Sequence, residues 1–338
     1  MRVCFVGAGS ATAAATFALR DTDVDVTVLE KSGGVCGRAA TRRHGDLTYD
    51  YGANYLKSDD EVKRLVTETL DTDGLIEIEE PIYTFDESGE VSPGRKKQTT
   101  RWSYRQGMTQ IAKRLFSRSD ATVHRRTRVE AIDRESDGWR LTDSDGETWG
   151  GFDYLALNPP APQTAELLEG VDDLSHVFDA VRDVEYRAIW TAVLRYPFEL
   201  DVPYYALVNT DKKHEVGWIS REECKPGHVP DGESLLVVQA SPEWSSRHFG
   251  RDPERNTEEL ARHTAKLVDD ERLTQPIWFD HQGWRYALPD NEADTEVLRA
   301  AEKHGVYLLG DWVAGEGRVQ AAISNGLETG RRIARDTD

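Results

Sequence analysis

The chain has 338 residues and carries 61 acidic against 42 basic side chains, for a formal net charge of −19. This length suggests one or two domains with a large core, and so acidic a surface argues against binding to nucleic acid because it repels phosphate. Three scattered cysteines lack CxxC or metal-ligand spacing, and no segment approaches the length of a membrane span, so we expect a soluble protein of the reducing cytoplasm with no metal and no membrane partner.

The N-terminal segment is typical of a strand, a glycine turn and a helix. An apolar run ends at Gly7-Ala8-Gly9 and continues into the alanine-rich stretch Ala11–Leu19. Gly7 permits a tight turn, and Gly9 allows the backbone to approach a pyrophosphate, which the first amides of the helix, at Ser10 and Ala11, can bind. Taken alone, the motif is as compatible with a structural turn as with a dinucleotide site.

The next predicted strand, Asp25–Leu29, ends at Glu30, about 20 residues past the glycines. A carboxylate at that point can accept hydrogen bonds from a ribose diol, and it disfavours a 2′-phosphate. The third glycine of the dinucleotide fingerprint, which allows close helix–strand packing, is replaced by Thr12. Small Ala11 and Ala13 beside it can compensate.

The middle of the chain is predicted to interleave two domains. A nucleotide-binding domain takes residues 1–70, 110–162 and 275–338, and a substrate domain takes residues 71–109 and 163–274. The nucleotide-binding part includes a meander of three strands, Val129–Arg134, Trp139–Thr142 and Tyr154–Leu157. The substrate part contains five strand-like runs, Ile82–Phe85, Ile189–Arg195, Tyr204–Val208, Val216–Ile219 and Leu235–Ala240. A helix packed on that sheet is predicted over Pro253–Asp270.

The C-terminal segment returns to the nucleotide site. An apolar strand, Val306–Leu309, delivers Gly310-Asp311 to its C-terminal end, the edge at which open α/β sheets bind ligands. A helix is predicted to begin near Arg318, with Val319 and Ala322 on its first turns. A nicotinamide dehydrogenase needs no such return, whereas a ligand with a long ribitol chain and a ring does.

Several motifs together resemble a known family, the amine-oxidase-type FAD flavoproteins. The motifs are Gly7-Ala8-Gly9, Glu30-Lys31-Ser32, Gly33–Arg38, Asp50–Tyr55 and Gly310-Asp311-Trp312. Within that superfamily the chain is most similar to renalase-like proteins, through Gly37–Arg43, Gly52–Tyr55, Gly107-Met108 and Trp284–Ala287. The resemblance implies an FAD-binding Rossmann-like domain of the glutathione-reductase type, with an interleaved α+β substrate domain built on a mainly antiparallel sheet.

The resemblance also implies how FAD is held. Gly7 and Gly9 would contact the pyrophosphate and Glu30 the adenosine ribose, whereas Arg38 would contact the phosphate or ring region and Asp311 the ribitol. The backbone of Val129 would meet the adenine. The remaining cofactor-binding candidates are Ser10, Ala11, Lys31, Gly37, Asn54, Gly310, Arg318, Val319 and Ala322. The family usually has glutamine where Asn54 stands and glycine where Cys36 stands.

The catalytic candidates are mainly aromatic, because in flavin oxidations the protein chiefly orients the substrate and excludes water. They are Asn54, Tyr55, His281, Trp284 and Tyr286, with Trp312 as a further candidate for the pocket wall. Core packing is the alternative for the aromatic residues and for His281. For Arg42, which belongs to a basic cluster with Arg38 and Arg43, we expect surface pairing with Asp46 or Asp50.

The leading functional hypothesis is an FAD-dependent oxidase that takes a hydride from a small substrate to flavin N5, with reoxidation by oxygen. The renalase likeness implies an isomeric dihydro form of NAD or NADP as the substrate. An amine oxidase or a desaturase-like enzyme is the alternative, and a non-catalytic dinucleotide-binding protein is an alternative of another class. The enzyme is expected to be a monomer or a homodimer.

Acidic pairs recur along the chain, and lysine is scarce beside arginine. These features favour a salt-adapted cytoplasm, in which screening relieves the self-repulsion of a highly charged fold. An ordinary acidic protein is the alternative.

Overall fold

The computed structural model describes residues 1–57, 59–94, 99–136 and 138–337. The strands are β1 (Arg2–Val6), β2 (Asp25–Glu30), β3 (Thr41–His44), β4 (Leu47–Asp50), β5 (Leu56–Lys57), β6 (Leu75–Glu77), β7 (Ile82–Phe85), β8 (Ser92–Pro93), β9 (Arg101–Tyr104), β10 (Thr122–Arg125), β11 (Val129–Glu135), β12 (Gly138–Asp143), β13 (Thr148–Phe152), β14 (Tyr154–Leu157), β15 (Tyr186–Tyr196), β16 (Ala206–Asn209), β17 (Val216–Arg221), β18 (Ser234–Ala240), β19 (Trp278–Pro289) and β20 (Val306–Leu308).

The α-helices are α1 (Ser10–Ala18), α2 (Asp60–Arg64), α3 (Thr109–Phe116), α4 (Ala161–Leu168), α5 (Ser175–Arg182), α6 (Pro242–His248), α7 (Pro253–Val268), α8 (Thr295–Ala300) and α9 (Val319–Thr337). A π-helical turn over Leu65–Thr69 continues α2. Short 3-10 turns lie at Gly37–Ala39, Asp172–Leu174, Glu222–Cys224, Glu271–Thr274 and Ala301–His304. In the ranges given above, no helix is both long enough and apolar enough to cross a lipid bilayer.

Five strands form a parallel sheet in the order β10-β2-β1-β14-β20. Its central strands are apolar and are buried on both faces, as parallel strands usually are. Side chains of α1 and α9 cover one face around Val3 and Phe5. Helices α4 and α5 and an antiparallel sheet of β11, β12 and β13 cover the other face around Cys4 and Val6.

The predicted meander is wrong in its third strand. Its third member is β13, whereas Tyr154–Leu157 forms β14 and pairs in parallel with β1 and β20. Asp153 separates the two strands, and the amide N–H of Arg2 donates to its side chain at the start of β1. The run after Asp153 is apolar on both faces, so it fits the interior of the parallel sheet better than a half-exposed meander.

The second large sheet has seven strands in the order β19-β15-β18-β17-β16-β7-β8. It is mixed, because β7 runs parallel to β16 while the other neighbouring strands are antiparallel. The prediction of a mainly antiparallel sheet therefore holds only in part. One face packs against α6 and α7, with Leu236, Val238 and Leu260 in the core between them.

Strand β19 differs from the predicted domain pattern. Residues 275–338 were expected to belong to the nucleotide-binding part, yet β19 pairs with β15 at the edge of the seven-stranded sheet. Two tryptophans of β19, Trp278 and Trp284, pack against Tyr49 and Tyr51. This strand therefore connects the seven-stranded sheet with β4 and the residue that follows it.

Candidate functional site

The glycine turn after β1 is built as the sequence predicts. Gly7 has φ +90°, a left-handed value that glycine adopts without strain, and its N–H donates to the Leu29 carbonyl at 2.8 Å. Gly9 precedes α1, and no side chain caps this helix within the described residues. The amides of Ser10 and Ala11 are therefore the first of the helix and are available to an anion.

Glu30 cross-links the turn to the loop that follows β2. Its Oε2 accepts from the Ala8 amide and its Oε1 accepts from the Ser32 amide, both at 2.7 Å. The side chain is buried, and each carboxylate oxygen retains a second lone pair for a ribose hydroxyl. Lys31 instead lies exposed and donates to the Gln163 side chain of α4 at 3.3 Å.

Thr12 takes part in the turn through its hydroxyl. The hydroxyl donates to the Gly7 carbonyl at 2.7 Å and lies 2.9 Å from the side-chain amide of Asn158, at the end of β14. Close packing comes from the other side of α1, where a Cβ on Gly326 would lie 2.1 Å from the Ala11 carbonyl oxygen. The small residues of α1 thus fit against α9, and the threonine keeps the turn closed.

The segment that carries Arg38 lies directly beside the glycine turn. The Cys36 N–H donates to the Ala8 carbonyl at 2.8 Å, and Gly9 and Cys36 form a parallel bridge. Cys36 has φ +83°, a left-handed value that favours glycine. Burial raises the pKa of its thiol to about 12, which disfavours the reactive thiolate. Gly37 follows with Arg38 on a 3-10 turn.

Arg38 and Asp311 form an ion pair between the two segments. The Arg38 Nη2 donates to Asp311 Oδ1 at 2.6 Å, and its Nη1 donates to the Ala287 carbonyl at 3.0 Å. Burial acts to lower the pKa of Arg38, but the Asp311 carboxylate raises it above its usual value. The Trp312 amide also donates to Asp311 Oδ1, so among the described residues both hydrogen bonds to the Asp311 carboxylate reach the same oxygen.

The other C-terminal candidates surround this pair. Gly310 follows β20, and its N–H donates to the Asn325 side chain on α9 at 2.8 Å. Helix α9 begins at Val319, with Ala322 buried on its inner face, while Arg318 is exposed just before it. Val129 is the first residue of β11 and is buried. The nearby Thr127 N–H donates to the Glu30 carbonyl, which places β11 next to the predicted ribose site.

The loop 51–55 packs tightly against the Arg38 turn. The Ala53 N–H donates to the Arg38 carbonyl at 3.0 Å, and a Cβ on Gly52 would lie 2.0 Å from that same oxygen. Only glycine fits at this position. The Asn54 side chain turns back and donates to the Asp50 carbonyl at 2.5 Å, so it holds the loop closed.

Three of the predicted aromatic residues lie at this loop or beside it: Tyr55 within the loop, and Trp284 and Tyr286 on β19. Trp284 stacks on Tyr51 with ring centroids 5.2 Å apart, and its indole N–H donates to the Tyr51 carbonyl at 3.2 Å. The guanidinium of Arg42 covers the Tyr51 ring at 4.2 Å from the centroid. The Tyr286 ring meets Tyr186 edge-on, next to Arg38.

The structure places His281 away from these residues, contrary to the prediction. Its ring stacks on Trp190 at 5.4 Å, and Trp190 packs with Trp244 of α6. Side chains alternate along a strand, so His281 and Trp284, three residues apart, project from opposite faces of the sheet. His281 is therefore a packing residue on the helix-covered face.

Arg42 is also paired differently from the prediction. Its Nη1 donates to Asp280 at 2.9 Å, and Tyr49 donates to the same carboxylate at 2.7 Å. Asp46 instead pairs with Arg195, and Asp50 pairs with Lys225. The hairpin of β3 and β4 packs its side chains against β19, and this packing brings Arg42 to Asp280.

A buried ionic cluster beneath loop 51–55 was not predicted at all. It consists of Asp50, Glu222, Lys225 and His228, each fully buried. The Lys225 ammonium donates to Asp50 at 2.9 Å and to Glu222 at 2.8 Å. His228 Nδ1 lies 2.8 Å from Glu222, and its Nε2 lies 2.9 Å from the Tyr104 carbonyl, which accepts the Nε2 proton. No local sequence pattern marks these residues, because they meet only through the tertiary fold.

The cluster holds loop 51–55 in place. Asp50 also accepts from the Thr41 and Ser103 hydroxyls and from the Met108 amide. Burial alone would raise the pKa of Asp50, but Lys225 and His228 lower it below its usual value. One possible metal-ligand atom from each of Asp50, Glu222 and His228 lies within 4.8 Å of the other two. The Lys225 ammonium, however, already supplies the positive charge at the position where a metal ion would lie.

Comparison with known proteins identifies the matching families. A family model described as flavin containing amine oxidoreductase matches residues 83–334. A second, described as an NAD(P)-binding Rossmann-like domain, matches residues 6–69.

Solved structures share the whole fold at low identity. A protein described as a protoporphyrinogen oxidase from Exiguobacterium sp. 255-15 is 14% identical with a TM-score of 0.81, and the match covers 99% of each chain. Wild-type putrescine oxidase bound to putrescine is 13% identical with a TM-score of 0.74, covering 100% of this chain and 99% of that one. Cyclohexylamine oxidase from Brevibacterium oxydans IH-35A is 12% identical with a TM-score of 0.73, covering 99% of each. At these identities the likeness shows the fold alone.

Proposed function

The chain belongs to the flavin containing amine oxidoreductase family, and on that premise we propose that it is an oxidase whose small substrate binds beside Tyr51, Gly52 and Trp284. Its cofactor is FAD, and it is an FAD-dependent oxidoreductase. We propose an isomeric dihydro form of NAD or NADP as the hydride donor. When bound, FAD would supply the hydride acceptor, at its N5 atom, with oxygen as the final electron acceptor.

The residues present fit FAD. The left-handed turn at Gly7 and the uncapped start of α1 suit a pyrophosphate, and buried Glu30 suits a ribose. Asp311 keeps its Oδ2 outside the Arg38 pair, so that oxygen can accept from a ribitol hydroxyl. Arg38 adds a positive charge beside the same position.

The observation that carries the substrate proposal is the aromatic surface at loop 51–55. Trp284 packs directly on the loop, because its Cζ2 lies 3.1 Å from the place where a Cβ on Gly52 would be. Tyr51 is buried between Trp284 and the Arg42 guanidinium, so the flat ring surface beside the Arg38 turn is that of Trp284, which is only partly buried. Such a surface suits a planar heterocycle such as a dihydronicotinamide better than a flexible aliphatic chain.

An amine is the second candidate. It is favoured by the shared fold of putrescine oxidase and cyclohexylamine oxidase. Against it, the Asp280 carboxylate on β19 is already bonded to Arg42 and Tyr49, so it does not offer a free anion to an alkylammonium group.

The test starts with the visible spectrum of the purified protein, followed by anaerobic addition of a dihydronicotinamide isomer mixture. Bleaching of the flavin band supports the proposal. A flavin that stays oxidised with the isomers but bleaches with cyclohexylamine would establish the amine instead. The variant Trp284→Phe should slow bleaching, whereas Trp278→Phe, on the same strand and stacked on His44, should not.

A further inference from the structure

A groove of about 670 Å³ lies between β19 and the β3–β4 hairpin, a volume typical of small-molecule sites. It is lined by residues 42–44 and Tyr49 of the hairpin and by residues 278–283 of β19. The next residue of β19 is Trp284, so the groove lies directly beside the position proposed for the substrate ring. Arg42 lies between the two, because its guanidinium covers the Tyr51 ring on which Trp284 stacks.

The negative charge in this groove is neutralised. Asp280 is the acidic residue among those that line it, and both of its carboxylate oxygens are in use. Oδ2 accepts from Arg42 and Tyr49, and Oδ1 accepts from the His281 amide. Arg42 also donates to the His281 carbonyl at 3.0 Å and to the Gln282 side chain at 2.6 Å. Arg42 and Asp280 therefore form a fixed pair that adds no net charge to the groove.

Arg43 supplies the excess positive charge. Its side chain is exposed, and its Nη2 donates to the Gln106 carbonyl at 2.6 Å, which orients the guanidinium. Among the residues that the structure describes, no carboxylate pairs with Arg43, and its Nε and Nη1 have no hydrogen-bond partner. Asp46, in the turn of the same hairpin, pairs with Arg195 instead. The Arg43 guanidinium is thus held in place while most of its donor hydrogens remain free.

His44 adds a second donor beside Arg43. Its ring stacks on Trp278 with centroids 4.5 Å apart, and Tyr49 meets the Trp278 ring edge-on at 5.9 Å. Trp278 is therefore a wall of the groove that fixes the plane of the imidazole. Within the described part of the chain, neither ring nitrogen of His44 has a hydrogen-bond partner. A neutral imidazole donates through one ring nitrogen, and a protonated one donates through both.

These donors suit an anion with several acceptor oxygens. A guanidinium binds phosphate oxygens through charge-assisted hydrogen bonds, which are about twice as strong as neutral ones. The chain as a whole carries a net charge of −19, so most of its surface repels phosphate and a groove with excess positive charge differs from its surroundings. An alkylammonium group would meet Arg43 as a like charge.

We infer that the groove between β19 and the β3–β4 hairpin binds the phosphate groups of a nucleotide substrate, with Arg43 as the main contact and His44 beside it. This inference rests on the proposed function, since it places the phosphates next to the dihydronicotinamide ring at Trp284. It makes Arg43 and His44 substrate-binding residues and ranks nucleotides above diamines as substrates.

Binding of ADP and adenosine to the FAD-loaded protein tests the groove, because FAD then fills the dinucleotide site at Gly7 and Glu30. Isothermal titration calorimetry measures both dissociation constants. The parent should bind ADP about tenfold more tightly than adenosine, and Arg43→Gln should remove that advantage while leaving adenosine binding unchanged. His44→Gln should weaken ADP binding by a smaller factor, about two- to threefold. This variant removes no side-chain hydrogen bond of the described residues, so it repeats the test if Arg43→Gln folds poorly.

The bleaching assay gives a second readout. Arg43→Gln should raise the concentration of the dihydronicotinamide dinucleotide that gives half the maximal bleaching rate by about tenfold. The maximal rate itself should stay near that of the parent, because Arg43 binds a part of the substrate that does not react.

Arg262→Gln is the matched control. Arg262 is exposed on α7, does not line the groove, and has no carboxylate partner among the described residues either. The variant therefore removes the same charge from another surface, and it should bind ADP like the parent.

Three results would overturn the inference. They are an absence of saturable ADP binding to the parent, equal weakening of ADP binding by Arg43→Gln and Arg262→Gln, and an unchanged half-maximal concentration for bleaching in Arg43→Gln. In the last case the proposed reaction would stand without the groove. If ADP binding depends on Arg43 as expected while dihydronicotinamides fail to bleach the flavin, the groove stands as a phosphate site and only the proposed reaction fails.

Discussion

The guanidinium of Arg38 and the carboxylate of Asp311 lie 2.6 Å apart, although 273 residues separate them in the chain. Arg38 belongs to the turn beside Gly9, and Asp311 follows β20 at the edge of the parallel sheet. The pair therefore joins the turn that carries Arg38 to the end of β20, and both side chains are mostly buried.

Asp311→Asn should weaken FAD binding and lower the free energy of unfolding by about 1–3 kcal/mol, since it removes a charge-assisted hydrogen bond from a partly buried guanidinium. Urea denaturation and flavin fluorescence titration measure the two effects. The control is Asp179→Asn. The ion pair of Asp179 with Arg182 is largely exposed, so its loss should change the free energy of unfolding by less than about 0.5 kcal/mol. Equal effects of the two variants would contradict the role assigned to Asp311.

Lys225→Met should lower the free energy of unfolding by about 3–5 kcal/mol at about pH 7, because it leaves Asp50 and Glu222 buried without their cation. In the parent protein, the lowered pKa of Asp50 stabilises the folded state at pH values above the usual carboxyl pKa. This stabilisation is lost as the pH falls through the pKa that Asp50 has in the folded state. The raised pKa of Lys225 gives stability that is lost only in strong alkali.

The difference between parent and Lys225→Met should therefore shrink as pH falls from about 7 to about 5, where a buried carboxyl without its cation can take up a proton. Urea denaturation across this range measures it. Lys266→Met, on the exposed side of α7, should change stability by less than about 0.5 kcal/mol at each pH. A difference that grows toward acid would refute this account of the cluster.

Gly326→Ala should destabilise the protein by about 1–3 kcal/mol or more, because the new methyl group would lie 2.1 Å from the Ala11 carbonyl oxygen and push α9 away from α1. Gly250→Ala meets nothing within 4 Å and should be neutral or slightly stabilising. Thermal denaturation of the two variants checks the contrast, and a tolerated Gly326→Ala would show that the helices can separate freely.

Cys36→Gly should be more stable than Cys36→Ala by about 1 kcal/mol, the reverse of the usual order for these residues. The reason is the left-handed backbone at this position, where φ is +83°. Both variants lose the same buried thiol, so the comparison isolates the backbone term. If the alanine variant proved the more stable one, the left-handed turn would not exist in solution.

The melting temperature should rise by several degrees between about 0.1 M and about 2 M KCl, since screening reduces the repulsion among the 61 acidic side chains. A salt-adapted protein is the proposal under test. Differential scanning calorimetry on the FAD-loaded protein measures the shift. A melting temperature that stays constant or falls with KCl would favour the alternative, an ordinary acidic protein.

The sequence determined the elements whose signals are local. An apolar strand followed by glycine and an alanine-rich run specifies β1, the turn at Gly7 and α1, and Glu30 follows because it ends the next strand. Gly310-Asp311 likewise could be placed at a strand end from the apolar run before it. These features depend on backbone conformation and periodicity within a few residues, which a single sequence displays.

Only the tertiary structure decided which distant side chains meet. His281 and Trp284 are three positions apart on β19, so their side chains lie on opposite faces of the sheet. Which of the two faces loop 51–55 depends on the register of the strand, because a shift of one residue would exchange the two faces. The pairing of Lys225 with Asp50 joins segments 175 residues apart. Such contacts follow from sheet register and domain packing, and neither is encoded in the local pattern of the residues involved.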